Sequence, residues 1–243
     1  MGDPRRSVER AHPRAHAASF VARQNRFVVH ARLEDGEMVR AYLPNTARLT
    51  DVLRPDAHLL LLRSDDPRRR TAWTVTRVWD GTWVALEAGA ASALVADHLA
   101  AGGRLPGWPP PVRLQRERVH GGHRFDLELA LADGRTGVVE VKSLSRARDR
   151  VAPLSTTPST RGVAHLDALA RMAAGGVPTA VVFVVQRADV DVLDVGAPAD
   201  PAWVVAVRRA RHLGVGVVGF ACEVDERTIR LGRRLEVRDG SAS

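Results

Sequence analysis

The stretch Phe125-Asp126-Leu127-Glu128-Leu129-Ala130-Leu131-Ala132-Asp133-Gly134-Arg135-Thr136-Gly137-Val138-Val139-Glu140-Val141-Lys142-Ser143-Leu144 reads as two strands and the turn between them. Apolar and polar residues alternate on the first arm, valines and charges on the second, and Asp133-Gly134 is a turn signal. The loop length decides which faces the charges share. A two-residue loop at Asp133-Gly134 sends Asp126 and Glu140 to opposite faces. A three-residue loop, Ala132-Asp133-Gly134 with Gly134 left-handed, sets Asp126 directly across from Glu140. The longer loop, or a bulge that restores the same parity, is therefore expected.

Two carboxylates and the ammonium of Lys142 on one face can hold a magnesium ion against a phosphodiester. Magnesium takes hard oxygen ligands and keeps several waters, so two acids and a substrate phosphate suffice. Manganese fits the same donors. Lys142 would orient the attacking water or stabilise the developing oxyanion. The same spacing also describes a solvated hairpin face with a cross-strand Glu and Lys pair, and spacing alone leaves both readings open.

Downstream, helices are expected from about Thr160 to Ala174 and from Pro201 to His212, and strands at Thr179 to Val185 and Val215 to Cys222. Upstream, Val112 to Val119 is a strand, Pro106 to Pro111 a stiff connector, and Ala91 to Ala101 a helix closed by Gly102-Gly103. This order describes a mixed sheet flanked by helices over residues 89–243. Residues 27–88 read differently. Phe27 to Leu33, Met38 to Leu43, His58 to Leu62, Thr71 to Trp79 and Thr82 to Leu86 are five short strands separated by turns. They suggest a five-stranded barrel of the OB type. Residues 1–26 carry six Arg and two acids and are expected to form a basic, flexible arm. The fold class is therefore α/β plus all-β.

Of the 243 residues, 45% are apolar and 26% charged, an ordinary folded composition. The formal charge of +8 comes from 36 Lys and Arg, nearly all Arg, against 28 Asp and Glu. Arg forks match phosphate oxygens, which favours DNA as partner, although a GC-rich genome produces the same bias. Cys222 is the only cysteine, so one chain can build neither an internal disulfide nor a thiolate metal site, and a cytoplasmic, reducing setting fits. No apolar run is long enough to span a membrane. Gly2 lacks the Ser or Thr four residues on that myristoylation needs, since Arg6 stands there.

Gly214 to Gly219 spells GxGxxG, but it follows a helix and lies in a strand with no helix after it, so no nicotinamide cofactor is expected. Arg68, Arg69 and Arg70, near Trp73, Trp79 and Trp83, could offer cations for phosphates and rings for bases. A buried tryptophan side with a solvated Arg loop is the competing arrangement. Nine histidines show no HExxH spacing, and GxSxG is missing.

His123-Arg124-Phe125-Asp126, Val139-Glu140-Val141-Lys142-Ser143 and Arg161-Gly162-Val163-Ala164-His165-Leu166, with Pro44-Asn45-Thr46 further upstream, resemble in order and spacing the signatures of the sugar fermentation stimulation protein family. The resemblance covers nearly everything after Arg26. It implies an OB-like N-terminal domain, a second domain similar to PD-(D/E)xK nucleases, and DNA binding. It also implies Asp126 and Glu140 as metal-binding acids, Lys142 as the catalytic lysine and Glu117 as a further acidic ligand. Arg161 and His165, four apart on one helix face, would meet a phosphate at the helix start, and Asn45 would belong to the nucleic-acid contacts. The chain departs from the family pattern at Leu154-Ser155-Thr156-Thr157, Ala164, Ala47 and near Tyr42, which bears on substrate grip and turnover. The expected function is a DNA-binding phosphodiesterase, or alternatively a non-catalytic DNA-binding regulator on the same scaffold.

Overall fold

A computed structural model describes residues 10–11, 15–154, 160–196 and 201–239. In chain order the elements are β1 (Arg10–Ala11), β2 (Ala15–Asn25), β3 (Val28–Leu33), β4 (Met38–Tyr42), β5 (His58–Arg63), β6 (Trp73–Trp79) and β7 (Trp83–Ala85). Then come α1 (Ala90–Ala100), β8 (Pro111–His120), β9 (His123–Leu131), β10 (Thr136–Leu144), β11 (Val151–Pro153) and α2 (Thr160–Ala174). The chain closes with β12 (Thr179–Val185), β13 (Val192–Asp194), α3 (Pro201–His212), β14 (Gly216–Val224) and β15 (Thr228–Arg238).

The first domain is a closed five-stranded barrel. β2 pairs with β3 and β5, β3 with β4, and β5 with β6, all antiparallel, and a short parallel contact of β4 with β6 closes the ring. This is the OB arrangement. Strand alternation supplies the core: Val29 and Ala31, Val39 and Ala41, Leu59 and Leu61, and Trp73 and Val75 point inward around Leu43 and Leu86. Two expectations need correction. Residues 15–25 are not part of an arm but the strand that completes the barrel, with Ala18 and Phe20 buried. Its alternation is carried by small alanines between polar residues, so few bulky apolar side chains mark it. Conversely, β7 is not a barrel stave. Among the described residues it pairs with β6 alone, and its residues are buried. Residues 1–9 and 12–14 of the expected arm lie outside the described residues.

The second domain is a nine-stranded mixed sheet ordered β11-β13-β15-β14-β12-β10-β9-β8, with β1 added to β15. Its centre is parallel, β10 beside β12 and β12 beside β14, and β12 is buried along its whole length. A valine-rich strand covered on both faces is what a parallel centre requires. One face carries α1 over Val139, Val141, Val182 and Val184. The other carries α2 and α3, whose Leu166, Leu169, Trp203 and Val207 pack on Val138, Val181 and Phe183. β11, β13 and the Arg-rich β15 were not expected from the sequence. Cys222 is fully buried, and burial pushes its thiol up to about 12. Among the described residues no helix is long and apolar enough to cross a membrane.

The domains meet where β10 and β12 end. Gln186 takes the Ala85 N–H on its main-chain oxygen at 2.9 Å and donates its side-chain amide to Glu87 O at 2.9 Å. Arg187, almost fully buried, reaches across to Asp80 of the barrel (Nη1 to Oδ2, 3.0 Å) and back to Asp189 (Nε to Oδ1, 2.6 Å; Nη2 to Oδ2, 2.8 Å). Asp51 of the barrel also pairs with Arg146, 2.5 Å apart.

Candidate functional site

The hairpin adopts the three-residue loop. Leu131 N–H donates to Arg135 O at 2.9 Å, Gly134 N–H to Leu131 O at 3.0 Å, and Gly134 has φ 84°, a left-handed value that glycine adopts without strain. The resulting register pairs Thr136 with Ala130, Gly137 with Leu129, Val138 with Glu128 and Val139 with Leu127. One step further the main-chain ladder stops. There the Asp126 carboxylate replaces a backbone acceptor, its Oδ2 taking the Val141 N–H at 2.7 Å. β10 stays in place because its other edge is held by β12 along Val138 to Leu144.

Glu140 is buried, 4% exposed, on the α2 side of the sheet. Its Oε1 is 2.8 Å from Nδ1 of His165 and also accepts from the Lys142 ammonium. With Glu140 ionised the carboxylate can only accept, and Nδ1 is then the donor in this contact. Burial, then the charge of Glu140, pushes the Asp126 carboxyl above the ordinary aspartate range, against the opposing pull of the Val141 amide and of Lys142. Asp126, Glu140 and Lys142 are thus brought together. The donors are carboxylate oxygens with no thiolate among them, which suits a hard divalent cation, and the mutual repulsion of the two acids is what such a cation relieves.

The other expected residues are placed unequally. Glu117 lies across from Asp126, between the pairs Arg116–Leu127 and Arg118–Phe125, but has a left-handed φ of 56°. Its carboxylate turns to Arg124 at 2.9 Å on the surface. Its charge still adds, weakly, to the upward shift of Asp126. Among the described residues no three His, Cys, Asp or Glu side chains are gathered to hold a metal ion. Arg161 is exposed on the first turn of α2, whereas His165 one turn later is buried. The expectation that both meet a phosphate at the helix start is corrected for His165, which is buried. The inner stripe of α2 carries it onto Glu140, between the rings of His123 and Phe125, with centroids 5.6 Å and 5.4 Å away. The ring contacts of His123 and Phe125 with α2 depend on tertiary packing that no local pattern encodes.

On the barrel, Asn45 is buried and its Oδ1 accepts the Ala47 N–H at 3.0 Å, shaping the loop after β4. Arg68 is tied to Asp66 at 2.9 Å, Arg69 donates to the Thr74 hydroxyl at 2.6 Å, and all three arginines of that loop are exposed. Of the nearby tryptophans, Trp73 and Trp83 are buried and Trp79 is 46% exposed. Leu154 of the altered stretch is buried; Ser155, Thr156 and Thr157 lie outside the described residues. A cavity of about 170 Å³ separates the Asn45 to Asp51 loop from Ser143 to Arg146, the residues that directly follow Lys142.

The family model described as the sugar fermentation stimulation protein RE domain matches residues 89–228, and that described as the SfsA N-terminal OB domain matches residues 21–86. A sugar fermentation stimulation protein homolog of Chloroflexus aurantiacus is 38% identical over 90% of this chain and 84% of its own length. One from Alkalilimnicola ehrlichii is 34% identical over 90% and 94%. The solved structure of Pyrococcus furiosus SfsA in complex with Ca2+ shares the fold, with a TM-score of 0.83, 21% identity, and coverage of 94% of this chain and 97% of that one. With both family models matched in register with the two observed domains, the chain belongs to the sugar fermentation stimulation protein family.

Proposed function

We propose that the chain binds DNA and hydrolyses a phosphodiester at Asp126, Glu140 and Lys142 with a divalent cation, Mg2+ or Mn2+. The observation that carries this reading is the meeting of a half-buried and a buried carboxylate beside a lysine, with Asp126 pushed toward its protonated form first by burial and then by the charge of Glu140. The Ca2+ named for the Pyrococcus furiosus protein supports a divalent ion in the family. A bound cation supplies charge neutralisation at the phosphate. The chain's own residues do the positioning. The Val141 amide fixes Asp126, His165 fixes Glu140, and the Lys142 ammonium stands ready to stabilise charge on the phosphate oxygens. The OB barrel adds nucleic-acid affinity. Glu117 would become a further ligand only by leaving Arg124, and Arg161 is the exposed cation at the start of α2.

A second reading, a DNA-binding regulator that does not cut, is favoured by one feature. Glu140 is already satisfied by His165 and Lys142, and no third ligand is gathered among the described residues. Incubating supercoiled and linear DNA with the protein and Mg2+ or Mn2+ separates the two. Cutting by wild type that disappears in Glu140→Ala and Lys142→Ala supports catalysis. Gel retardation with intact DNA in all three supports the regulator.

A further inference from the structure

The barrel carries a surface that the acid pair does not account for. β3 and β4 pair Val28 with Tyr42, His30 with Arg40 and Arg32 with Met38, on the face opposite the buried Val29, Ala31, Val39 and Ala41. Met38 is 49% and Tyr42 37% exposed. At the rim, Phe27 is 43% exposed with the Arg26 guanidinium 5.5 Å from its ring centroid. Single exposed apolar side chains are ordinary, but two rings and three arginines along one strip are a pattern. Among the described residues no carboxylate pairs with Arg26, Arg32, Arg40 or Arg48. In the second domain, by contrast, Arg135, Arg150, Arg209 and Arg233 each have an acidic partner. The acids nearest to the strip in sequence, Glu34, Asp35 and Glu37, sit in the β3–β4 turn at its far end.

The near end leads to the candidate site. The Arg23 guanidinium donates to the main-chain oxygens of Arg26 at 2.9 Å, Ala47 at 2.7 Å and Arg48, locking the β2–β3 turn to the loop after β4. That loop forms one wall of the cavity whose other wall follows Lys142. Rim, loop and cavity are therefore contiguous.

We propose that this strip is a track for single-stranded nucleic acid, leading an unpaired strand from the β3–β4 face past Phe27 and Arg48 toward Lys142. The proposal rests on the DNA-binding reading above and adds strandedness and path to it. Phe27 and Tyr42 can stack only on bases whose faces are free, which a duplex hides and a single strand offers. Arg26 beside Phe27 and Arg40 and Arg32 further along the strip supply the phosphate contacts, and those contacts weaken with salt.

The test is fluorescence anisotropy with the full chain and a labelled oligonucleotide of about 16 nucleotides, the upper span of one OB barrel. It is run as a single strand and as a duplex, without divalent cation. The single strand is expected to bind more tightly than the duplex. A Phe27→Ala/Tyr42→Ala variant should lose about tenfold or more on the single strand while its duplex binding stays within about twofold. Arg32→Ala/Arg40→Ala should flatten the salt dependence on the single strand. Both pairs are exposed, and an unchanged melting temperature certifies each variant. Duplex binding at least as tight as single-strand binding, with both variants indifferent, overturns the track but leaves the DNA-binding reading standing. Binding of neither oligonucleotide at low salt overturns both.

Discussion

Glu140 Oε1 and His165 Nδ1 lie 2.8 Å apart, joining β10 to α2 at a point where both residues are buried. A buried carboxylate is tolerated only when its oxygens are satisfied, so the histidine holds the acid in place as well as orienting it. His165→Leu, which fills the space without a donor, should destabilise the protein by about 1–3 kcal/mol. In thermal melts this is a fall of about 2–4 °C per kcal/mol. His165→Asn, whose amide nitrogen can stand near the position of Nδ1, should recover part of the loss.

Asp126 should make the cation-free protein more stable in mild acid than its other carboxylates would suggest. Its folded pKa is raised above the ordinary value of 3.8, so the folded state binds this proton more tightly than the unfolded chain. Ionisation above the raised pKa opposes folding, and the penalty disappears as pH falls through it toward the unfolded value. Asp126→Asn removes the charge and keeps an acceptor for the Val141 amide. In a chelator at neutral pH the variant should melt above wild type, with the gap closing below about pH 4. Adding Mg2+ or Mn2+ should raise the wild-type melting temperature more than that of the variant, because a neutral amide oxygen is a weaker ligand than a carboxylate.

The hairpin register was legible because Gly134 admits the left-handed conformation that the three-residue loop needs, and because one-residue slips exchange faces. The depth of a side chain was not. Arg161 and His165 are four apart and share a helix face, yet the first is exposed and the second sits on Glu140, since the approach of α2 to the sheet is set by Leu166 and Leu169. The barrel's strand number was also readable, but the strands that close it were not: the sequence pattern points to β7, and the ring uses β2. Val84 packs with the barrel core and Ala85 with the core under α1, so β7 is buried without closing the ring, while Ala15–Asn25 closes it with little more than Ala18 and Phe20 buried. Composition alone cannot distinguish a buried strand that closes a barrel from one that only extends its sheet.

Arg187 ties the two domains through Asp80 and Asp189. Burial pulls its guanidinium down, but the hydrogen bonds to both acids outweigh this and hold it above its ordinary value. Burial likewise pushes Asp189 up, and its bonds to Arg187 win, leaving it below the usual carboxylate range. Its contribution is therefore present above the unfolded aspartate pKa and lost as pH falls through the depressed one. Arg187→Ala abandons two partly exposed acids at the joint, which solvent screens, and should cost about 1–3 kcal/mol. Asp80→Asn leaves the bidentate pair with Asp189 intact and should cost less. Denaturant melts of the two single variants and the double variant measure the coupling, and additive losses would show that Arg187 does not link the domains energetically.

The glycines of the GxGxxG stretch should separate by packing. Gly219 lies in β14, and a Cβ there would stand 3.1 Å from Leu193 Cδ2 and 3.2 Å from both Leu193 Cβ and Leu235 Cβ, two buried side chains that would have to shift to admit it. Gly219→Ala should therefore destabilise by about 1–3 kcal/mol through overpacking. At Gly216 the Cβ would meet Ala180 Cβ and Thr179 O at 3.5 Å, ordinary contact. An alanine in a strand interior is favoured over glycine by roughly 0.5–1 kcal/mol, so Gly216→Ala should be neutral or slightly stabilising. Urea melts of the two variants test this. Equal losses at both positions would mean that close strand and side-chain packing is not the reason glycine stands at 219.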